Sequence, residues 1–408
     1  MLGDIAEIEE FVVRFEGRGP GTDAERRAAR YLAGRLEQLG RAAEIEPAWV
    51  WPNYALAHVA NAVLAILASV VAVASGAVGT ALAAIALLSA LGDLSGRFYL
   101  LRRLTGRRAT QTVVSREEDP RPGTLILVAH YDAPRTGAVF GRPSERGAAL
   151  ASLLRRPIGP FDTYTLSLAA VLIVCALRAA GAAGLALSIA QFVATAVLIV
   201  SVPLFADIAL SGVVPGASDN ASGVATVLRL VERYGGALDH FRIWALFPGA
   251  SEGLQLGMRA WLQRHRDELD PTRTVFLNVD AVGAGTVRYL TREGFLVTRR
   301  AHPQLVQLCD LLAEEDADEG RYGARRLASR SASDATAAAA ARFPAISISC
   351  RGALDRAPNS HLATDTPQQL DEAALERAFG FCSELIELID ERIGPELEPA
   401  PSLRDAAG

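Results

Sequence analysis

The sequence has no lysine and few cysteines, and these shortages limit what the chain can be. All 41 basic residues among the 408 are arginine, which we interpret as a compositional bias. The four cysteines form no CxxC pair, and Cys175 lies in an apolar run, so reduced thiols are expected rather than a disulfide framework. A net charge of only −5 argues against nucleic acid as a partner, because phosphate binding needs a concentrated basic surface.

Charge is also missing from two long stretches. Residues 55–92 contain no Asp, Glu or Arg, and residues 163–206 contain only Arg178. About 20 helical residues cross a hydrocarbon core of ~30 Å, so each stretch accommodates two spans joined by a turn. We predict two transmembrane hairpins, 54–93 and 163–206. Hairpins buried inside the protein are disfavoured, because Ala-rich helices without a polar face would have to be covered all round.

Two spans return the chain to the side that it left, so the remaining segments should share one aqueous compartment. Arginines that flank the hairpins on that side are Arg97, Arg102, Arg103, Arg107, Arg108, Arg142, Arg146, Arg155 and Arg156. The opposite turns carry only Arg178, so the positive-inside rule predicts a multi-pass protein of the cell membrane with a cytoplasmic soluble domain. The N-terminus, MLGDIAEIEE, is acidic and lacks an apolar h-region, so no cleaved signal peptide is expected.

The soluble segments alternate between helical patterns and short buried strands. TLILV, FRIWALF, TVFLNVD and AISISC are apolar runs typical of buried strands, and amphipathic helices separate them. This alternation predicts an α/β fold with a mixed, largely parallel sheet sandwiched by helices and interrupted by the two hairpins. The predicted division is 1–53 (N-terminal helices), 54–93 (hairpin), 94–162 (segment with an HxD motif), 163–206 (hairpin), 207–394 (remainder of the domain) and 395–408 (disordered tail).

Metal-competent side chains follow several of these strands. His130 and Asp132 follow TLILV, Glu252 follows FRIWALF, and Asp280 ends TVFLNVD; Asp219 begins a helix and His361 lies in a loop after the last strand. Ligands of such sheets gather outside the carboxyl ends of the strands. Each residue alone could be a helix cap, a turn residue or a solvated histidine, but together the two imidazoles and three carboxylates suit a pair of zinc-like ions with one shared carboxylate.

The chain resembles the M28 family of zinc aminopeptidases. The motifs that carry the resemblance occur in family order: GRGPGT, VAHYDAP, GASDNASGVA, GASEGLQLGMRAW, NVDAVG and SHLATDT. The resemblance implies two zinc ions, one bound by His130 and Asp280 and the other by Glu252 and His361, with Asp219 as the bridge. It also implies that Asp132 orients the His130 ring.

The sequence departs from the family at the residue before the metal-binding glutamate. Family members carry there a second glutamate, the general base, and this chain has Ser251. A hydroxyl is a poor proton acceptor at neutral pH, and loss of a positioned base costs ~10²–10⁴-fold in rate. A smaller departure is Ala335 in SASDATA, where members often have His after the Asp.

The resemblance implies a dizinc aminopeptidase that hydrolyses N-terminal bonds of a peptide or small amide by attack of water, and the two predicted hairpins would anchor it in the membrane. The alternative is a metal-binding pseudo-peptidase with a binding or scaffold role, motivated by Ser251. A transporter is disfavoured because no span contains a paired acid and base. The oligomeric state stays open.

Overall fold

The computed structural model describes residues 2–141, 159 and 161–397. Four of the predicted flanking arginines, Arg142, Arg146, Arg155 and Arg156, and residues 398–408 of the predicted tail lie outside these residues. The helices of the described part are α1 (Leu2–Arg14), α2 (Asp23–Gln38), α3 (Tyr54–Val71), α4 (Gly76–Ser95), α5 (Asp162–Ala179), α6 (Leu185–Leu210), α7 (Ser222–Tyr234), α8 (Leu256–His265), α9 (Pro303–Glu315), α10 (Asp334–Ala340) and α11 (Glu372–Arg392).

The described strands form one mixed nine-stranded sheet. They are β1 (Glu44–Val50), β2 (Arg108–Ser115), β3 (Gly123–Val128), β4 (Phe241–Pro248), β5 (Thr274–Val279), β6 (Thr286–Glu293), β7 (Arg299–Arg300), β8 (Arg325–Ala328) and β9 (Ala345–Arg351). The spatial order is β1-β2-β4-β3-β5-β9-β6-β7, with β8 paired to β6. The predicted α/β fold with a mixed sheet and helices is confirmed.

The four central strands, β4, β3, β5 and β9, are parallel, whereas β1, β2, β6 and β7 add antiparallel pairs at the sides. Residues in β3 and β5 are buried throughout, which explains why these segments are continuous apolar runs in the sequence. A large core packs α1, α2, α7, α9 and α11 against one face, and a smaller one packs α8 and α10 against the other. The carboxyl ends of the parallel strands therefore meet at one edge, between the two layers.

Helices α3, α4, α5 and α6 are each long and apolar enough to cross a membrane. They pack on one another in a cluster dominated by alanine, while large side chains such as Leu67, Val70 and Phe192 are exposed on their outer surface. Small residues let helix backbones approach closely, as in membrane helix pairs. Asn53 and Ser75 cap the first turns of α3 and α4, which gives each helix a defined start after a polar turn.

Arg102 joins the helical bundle to the α/β domain. Its guanidinium is fully buried and donates to Asp93 Oδ1 at the end of α4, at 2.7 Å, and to the carbonyls of Trp51 and Gly253, both at 2.6 Å. A buried charge is tolerated when such partners satisfy it. Arg102 therefore links α4 to the α/β domain by buried hydrogen bonds. It is not an exposed cation, although the sequence groups it with the arginines that flank the hairpins.

The bundle also brings an acid and a base together. His58 Nε2 in α3 lies 3.7 Å from Asp93 Oδ2 in α4, and both side chains are buried. Neither helix contains both partners, as the sequence predicts for each span; the pair forms between two helices, and Asp93 lies one residue beyond the uncharged stretch. The principal partner of Asp93 is nevertheless Arg102, so the acid has a structural role.

Candidate metal centre

His130 lies two residues beyond β3 and points its two ring nitrogens at different carboxylates. Nδ1 is 3.1 Å from the Asp132 carbonyl and 3.4 Å from Asp132 Oδ1. Nε2 is 3.6 Å from both Asp219 Oδ1 and Asp280 Oδ1. The imidazole is thus oriented through one nitrogen, and the other faces two potential co-ligands.

Asp219 is placed by the segment that precedes α7. The backbone N–H groups of Asp219 and Ser218 donate to the carboxylate of Asp365, at 3.0 and 2.7 Å. Ser360 Oγ donates to Asp219 Oδ2 at 2.6 Å. Burial alone would raise the pKa of Asp219, but the nearby imidazoles of His130 and His361 and the Ser360 hydroxyl lower it below the usual range. Asp219 therefore stays ionised and presents one oxygen to each side.

Glu252 and His361 complete a second group around the other oxygen of Asp219. His361 Nε2 lies 3.6 Å from Glu252 Oε2 and 4.0 Å from Asp219 Oδ2. The Nδ1 atom of His361 is 3.2 Å from the Arg135 carbonyl, and the ring stacks on Phe140 with centroids 4.3 Å apart. The ring direction is therefore fixed from two sides.

The structure thus brings all five predicted ligands together in two groups. One group is His130, Asp219 and Asp280, and the other is Asp219, Glu252 and His361; within each, the candidate ligand atoms lie within 4.8 Å of one another. Ligands at ~2.0–2.1 Å from a tetrahedral zinc are separated from each other by roughly 3.3 Å, close to the distances seen here. Nitrogen and oxygen donors of this kind, partly or fully buried, fit two zinc ions that share Asp219.

Asp132 organises the loop that presents Glu252. It is fully buried, and its two oxygens accept the backbone N–H groups of Ser251 and Glu252, at 3.0 and 2.9 Å. The same loop contains Ala250, Leu254 and Gln255 at positive φ, a conformation that costs energy for residues with a side chain. Asp132 therefore links the orientation of His130 to the position of the next ligand.

Ser251 is paired with a carboxylate that the sequence interpretation did not single out. Its hydroxyl lies 2.8 Å from both oxygens of Asp334, at the start of α10. Burial raises the pKa of Asp334 to about 7, against the opposing influence of the His130 charge and the Ser251 hydrogen bond. The SASDATA motif lacks the histidine that often follows its Asp in the family, and only the fold shows that this Asp faces Ser251.

Three further buried residues support the centre, and sequence reasoning missed their roles. Asn220 donates to the carbonyls of His130 and Val279 and so joins the ends of β3 and β5. Arg18, within GRGPGT, donates to the Tyr131 and Gly216 carbonyls, and burial lowers its pKa to about 10. The third is Asp365, described above. Each belongs to a motif of the sequence, but their partners are distant along the chain and no spacing reveals them.

Comparisons with known proteins agree with the family motifs. Residues 201–386 match the family model of peptidase family M28. No curated protein matches the chain. The resemblance to the M28 family stated from the motifs is confirmed by this match.

Solved structures show the same fold at low sequence identity. A Zn-dependent exopeptidase from Parabacteroides distasonis is 13% identical, with a TM-score of 0.53 over 95% of this chain and 97% of its own. A zinc aminopeptidase from Bacillus subtilis is 12% identical, with a TM-score of 0.54 over 97% and 96%. A glutaminyl cyclase from Bacteroides thetaiotaomicron, bound to N-acetylhistamine, is 14% identical, with a TM-score of 0.55 over 94% and 96%. These likenesses concern the fold.

Proposed function

We propose, from the resemblance to peptidase family M28, that the chain is a membrane-anchored dizinc metallopeptidase of aminopeptidase type. The observation that carries the proposal is the pair of ligand groups that share Asp219. In this proposal His130 and Asp280 bind one ion, and Glu252 and His361 bind the other. Zinc in such a site supplies Lewis acidity toward a scissile carbonyl and acidifies water.

The chain must also supply a proton acceptor, because Ser251 occupies the position of the usual glutamate. We propose that Asp334 is that acceptor and acts through Ser251. A hydroxyl has one proton to donate and lone pairs to accept. Ser251 Oγ can therefore donate to Asp334 while it accepts the proton of the attacking water. The buried carboxylate, with a pKa of about 7, is suited to gain and release a proton near neutral pH.

The metal assignment is tested by zinc analysis of the full-length protein in detergent. We expect two zinc ions per chain in the parent and one in both Asp280→Ala and Glu252→Ala, because each change removes a ligand from one group only. Asp219→Ala should weaken both sites. Asp390→Ala, which removes a buried carboxylate that accepts backbone N–H groups far from the centre, should retain two ions. Retention of both ions by Asp219→Ala would contradict the shared-ligand arrangement.

The catalytic assignment is tested with aminoacyl-anilides and short peptides. The zinc-loaded parent should release N-terminal residues. A parent that binds two zinc ions but cleaves no member of the panel favours the second candidate function, a pseudo-peptidase with a binding or scaffold role, for which Ser251 is the motivating observation. Ser251→Glu distinguishes the peptidase from the pseudo-peptidase. If the parent is inactive and the variant hydrolyses the substrates several orders of magnitude faster, the parent is a pseudo-peptidase that lacks the general base.

Membrane anchoring and orientation are also proposed. The four apolar helices have the length and composition to span a bilayer. Their ends on the side of the α/β domain lie near the exposed cations Arg103, Arg107 and Arg108, whereas Arg178 lies at an opposite turn. By the positive-inside rule the domain faces the cytoplasm. Reporter fusions at the C-terminus test this orientation. Activity of a reporter that functions only in the periplasm would show that the domain faces the opposite side.

A further inference from the structure

The entrance to the metal centre is built partly from the ends of the apolar helices. A cavity of about 240 Å³ is lined by the candidate ligands Glu252 and His361, by Leu56 in the first turn of α3 and by Ile208 in the last turn of α6. Asn53, which caps α3, has its amide 3.5 Å from the carbonyl of Ala209, so these two helix ends are neighbours. The helices that lead away from the cavity are the ones long and apolar enough for a bilayer.

The rim of this region has the composition of a membrane–water interface. Trp49 is 62% exposed, and the guanidinium of Arg107 lies 5.4 Å from the ring centroids of both Trp49 and Trp51. Tryptophan beside arginine is typical of the headgroup level of a bilayer. The cavity therefore opens at the level where a bound amphiphile would place its polar part. The apolar chain of that amphiphile would then lie along α3 and α6.

The charge of the cavity favours an anionic group. Arg108 and Arg135 line it, and in the part of the chain that the structure describes neither forms an ion pair with a carboxylate. Among the described residues that line it, the one acidic side chain is Glu252, a candidate metal ligand. Two divalent ions would balance the three ligand carboxylates and the adjacent Asp132 carboxylate, so the two arginines would supply the net positive charge of the cavity. Arginine is well suited to bind carboxylate or phosphate.

Arg135 also connects the helix end to the metal centre. Its guanidinium donates to the carbonyl of Ser211, directly after α6, and its own carbonyl faces His361 Nδ1. In addition, Asp207 in the last turn of α6 accepts the backbone N–H of Ala138 at 2.6 Å. One wall of the entrance is thus shared between an apolar helix and a candidate ligand.

From these observations we infer that the substrate is an amphiphilic peptide presented at the bilayer surface, with its scissile amide at the metal centre, an anionic group against Arg108 and Arg135, and an apolar chain along Leu56 and Ile208. This inference rests on the proposed peptidase function. It assigns the helices a part in substrate recognition, because they form the apolar wall of the entrance.

Four matched peptides test the inference: Leu-Glu and Leu-Gln, each as a dodecylamide and as an ethylamide. They are assayed with full-length, zinc-loaded protein in nanodiscs. We expect kcat/KM for Leu-Glu-dodecylamide to exceed that for Leu-Gln-dodecylamide by about tenfold, the size of one charge-assisted hydrogen bond. The ethylamides should both be poorer substrates. Equal turnover of all four peptides would overturn the inference and leave the peptidase function standing.

Variants separate recognition by the cavity from mere partition of the long chain into the bilayer. Arg108→Gln should remove the preference for Glu over Gln, whereas Arg107→Gln, which alters a neighbouring arginine stacked on tryptophan, should keep it. Leu56→Ser should reduce the preference for the dodecyl chain by severalfold. Leu67→Ser, at a position 52% exposed on the same helix but absent from the cavity lining, should not. A preference that survives Arg108→Gln and Leu56→Ser together would overturn the inference.

Binding of the cleavage products gives a readout that does not depend on turnover. Glu-dodecylamide should bind the parent about tenfold more tightly than Gln-dodecylamide by microscale thermophoresis, and Arg108→Gln should equalise the two. If the zinc-loaded protein cleaves neither the four peptides nor any aminoacyl-anilide, the peptidase function fails. In that case the substrate assignment fails with it, and the binding order tests only whether the cavity recognises an anionic amphiphile; equal product affinities would overturn that recognition as well.

Discussion

Replacing Asp334 by Asn is the most direct test of the proposed proton relay through Ser251. In the parent, Ser251 Oγ lies 2.8 Å from both carboxylate oxygens of Asp334. The substitution keeps the size of the side chain and a hydrogen-bonding partner for Ser251 Oγ, but it removes the proton acceptor. Loss of a positioned base costs ~10²–10⁴-fold in rate, which corresponds to about 2.7–5.4 kcal/mol of transition-state stabilisation. We expect kcat to fall by this amount with little change in KM, since Asp334 is buried behind Ser251.

The pH profile distinguishes this role from a purely structural one. Asp334 accepts a proton only when ionised, so the parent rate should rise with pH along an acid limb and then level off. Burial raises its pKa to about 7, and bound divalent ions would lower it, so the limb is expected at or below pH 7. In Asp334→Asn this limb should disappear, although other ionisations remain.

The assay is steady-state hydrolysis of an aminoacyl-anilide from pH 5 to 9, with zinc content and thermal unfolding measured on each sample. Asp390→Asn serves as the matched control, because Asp390 is also buried and accepts backbone N–H groups but lies away from the centre. An Asp334→Asn protein that binds two zinc ions and retains the parent rate would refute the relay through Ser251.

Three other predictions concern the base, the internal ion pair and the buried acids. Ser251→Glu should restore at least 10²-fold of the activity lost in the Asp334→Asn background, because it places a carboxylate at the usual position of the base. Arg102→Gln should lower the free energy of unfolding by about 3–5 kcal/mol, measured by denaturation in detergent, since Asp93 would remain buried without its cation. Burial raises the pKa of both Asp365 and Glu293 to about 7, so their protonated forms favour the fold, and this contribution is complete below pH ~4 and lost as pH rises through 7. The Tm of metal-free protein should therefore fall from pH 5 to 8.

Each of these predictions has its own control. The activity of the Ser251→Glu/Asp334→Asn double variant is compared with that of Asp334→Asn only when the two proteins contain equal zinc. Arg103→Gln alters an exposed neighbour of Arg102 and should leave the free energy of unfolding nearly unchanged; an equal loss in both variants would contradict the buried link through Arg102. Glu293→Gln should lower the pH dependence of the unfolding free energy of metal-free protein by roughly 1.4 kcal/mol per pH unit at most, and so flatten the pH dependence of its Tm. An unchanged slope would show that Glu293 does not contribute.

The sequence alone was sufficient for the parts of this protein that depend on local pattern. Buried parallel strands are continuous apolar runs, so the central strands and the helices between them could be predicted from residue order. The apolar stretches likewise predicted four helices of membrane length. Five candidate ligands followed from their places after strands or at a helix start, because parallel strands end at one edge of the sheet. The antiparallel strands β1, β2 and β6 were not predicted, since they mix polar and apolar residues and depend on their neighbours for pairing.

Only the tertiary structure decided which distant residues are partners. Asp334 is 83 positions from Ser251, and no spacing in the sequence relates them. The sequence places Arg102 among the arginines that flank the hairpins, yet the fold buries it between Asp93 and Gly253. Hydrogen bonds and ion pairs act over a few ångströms in space, whatever the separation along the chain. Periodicity therefore specifies the elements, and packing specifies which side chains meet at their ends.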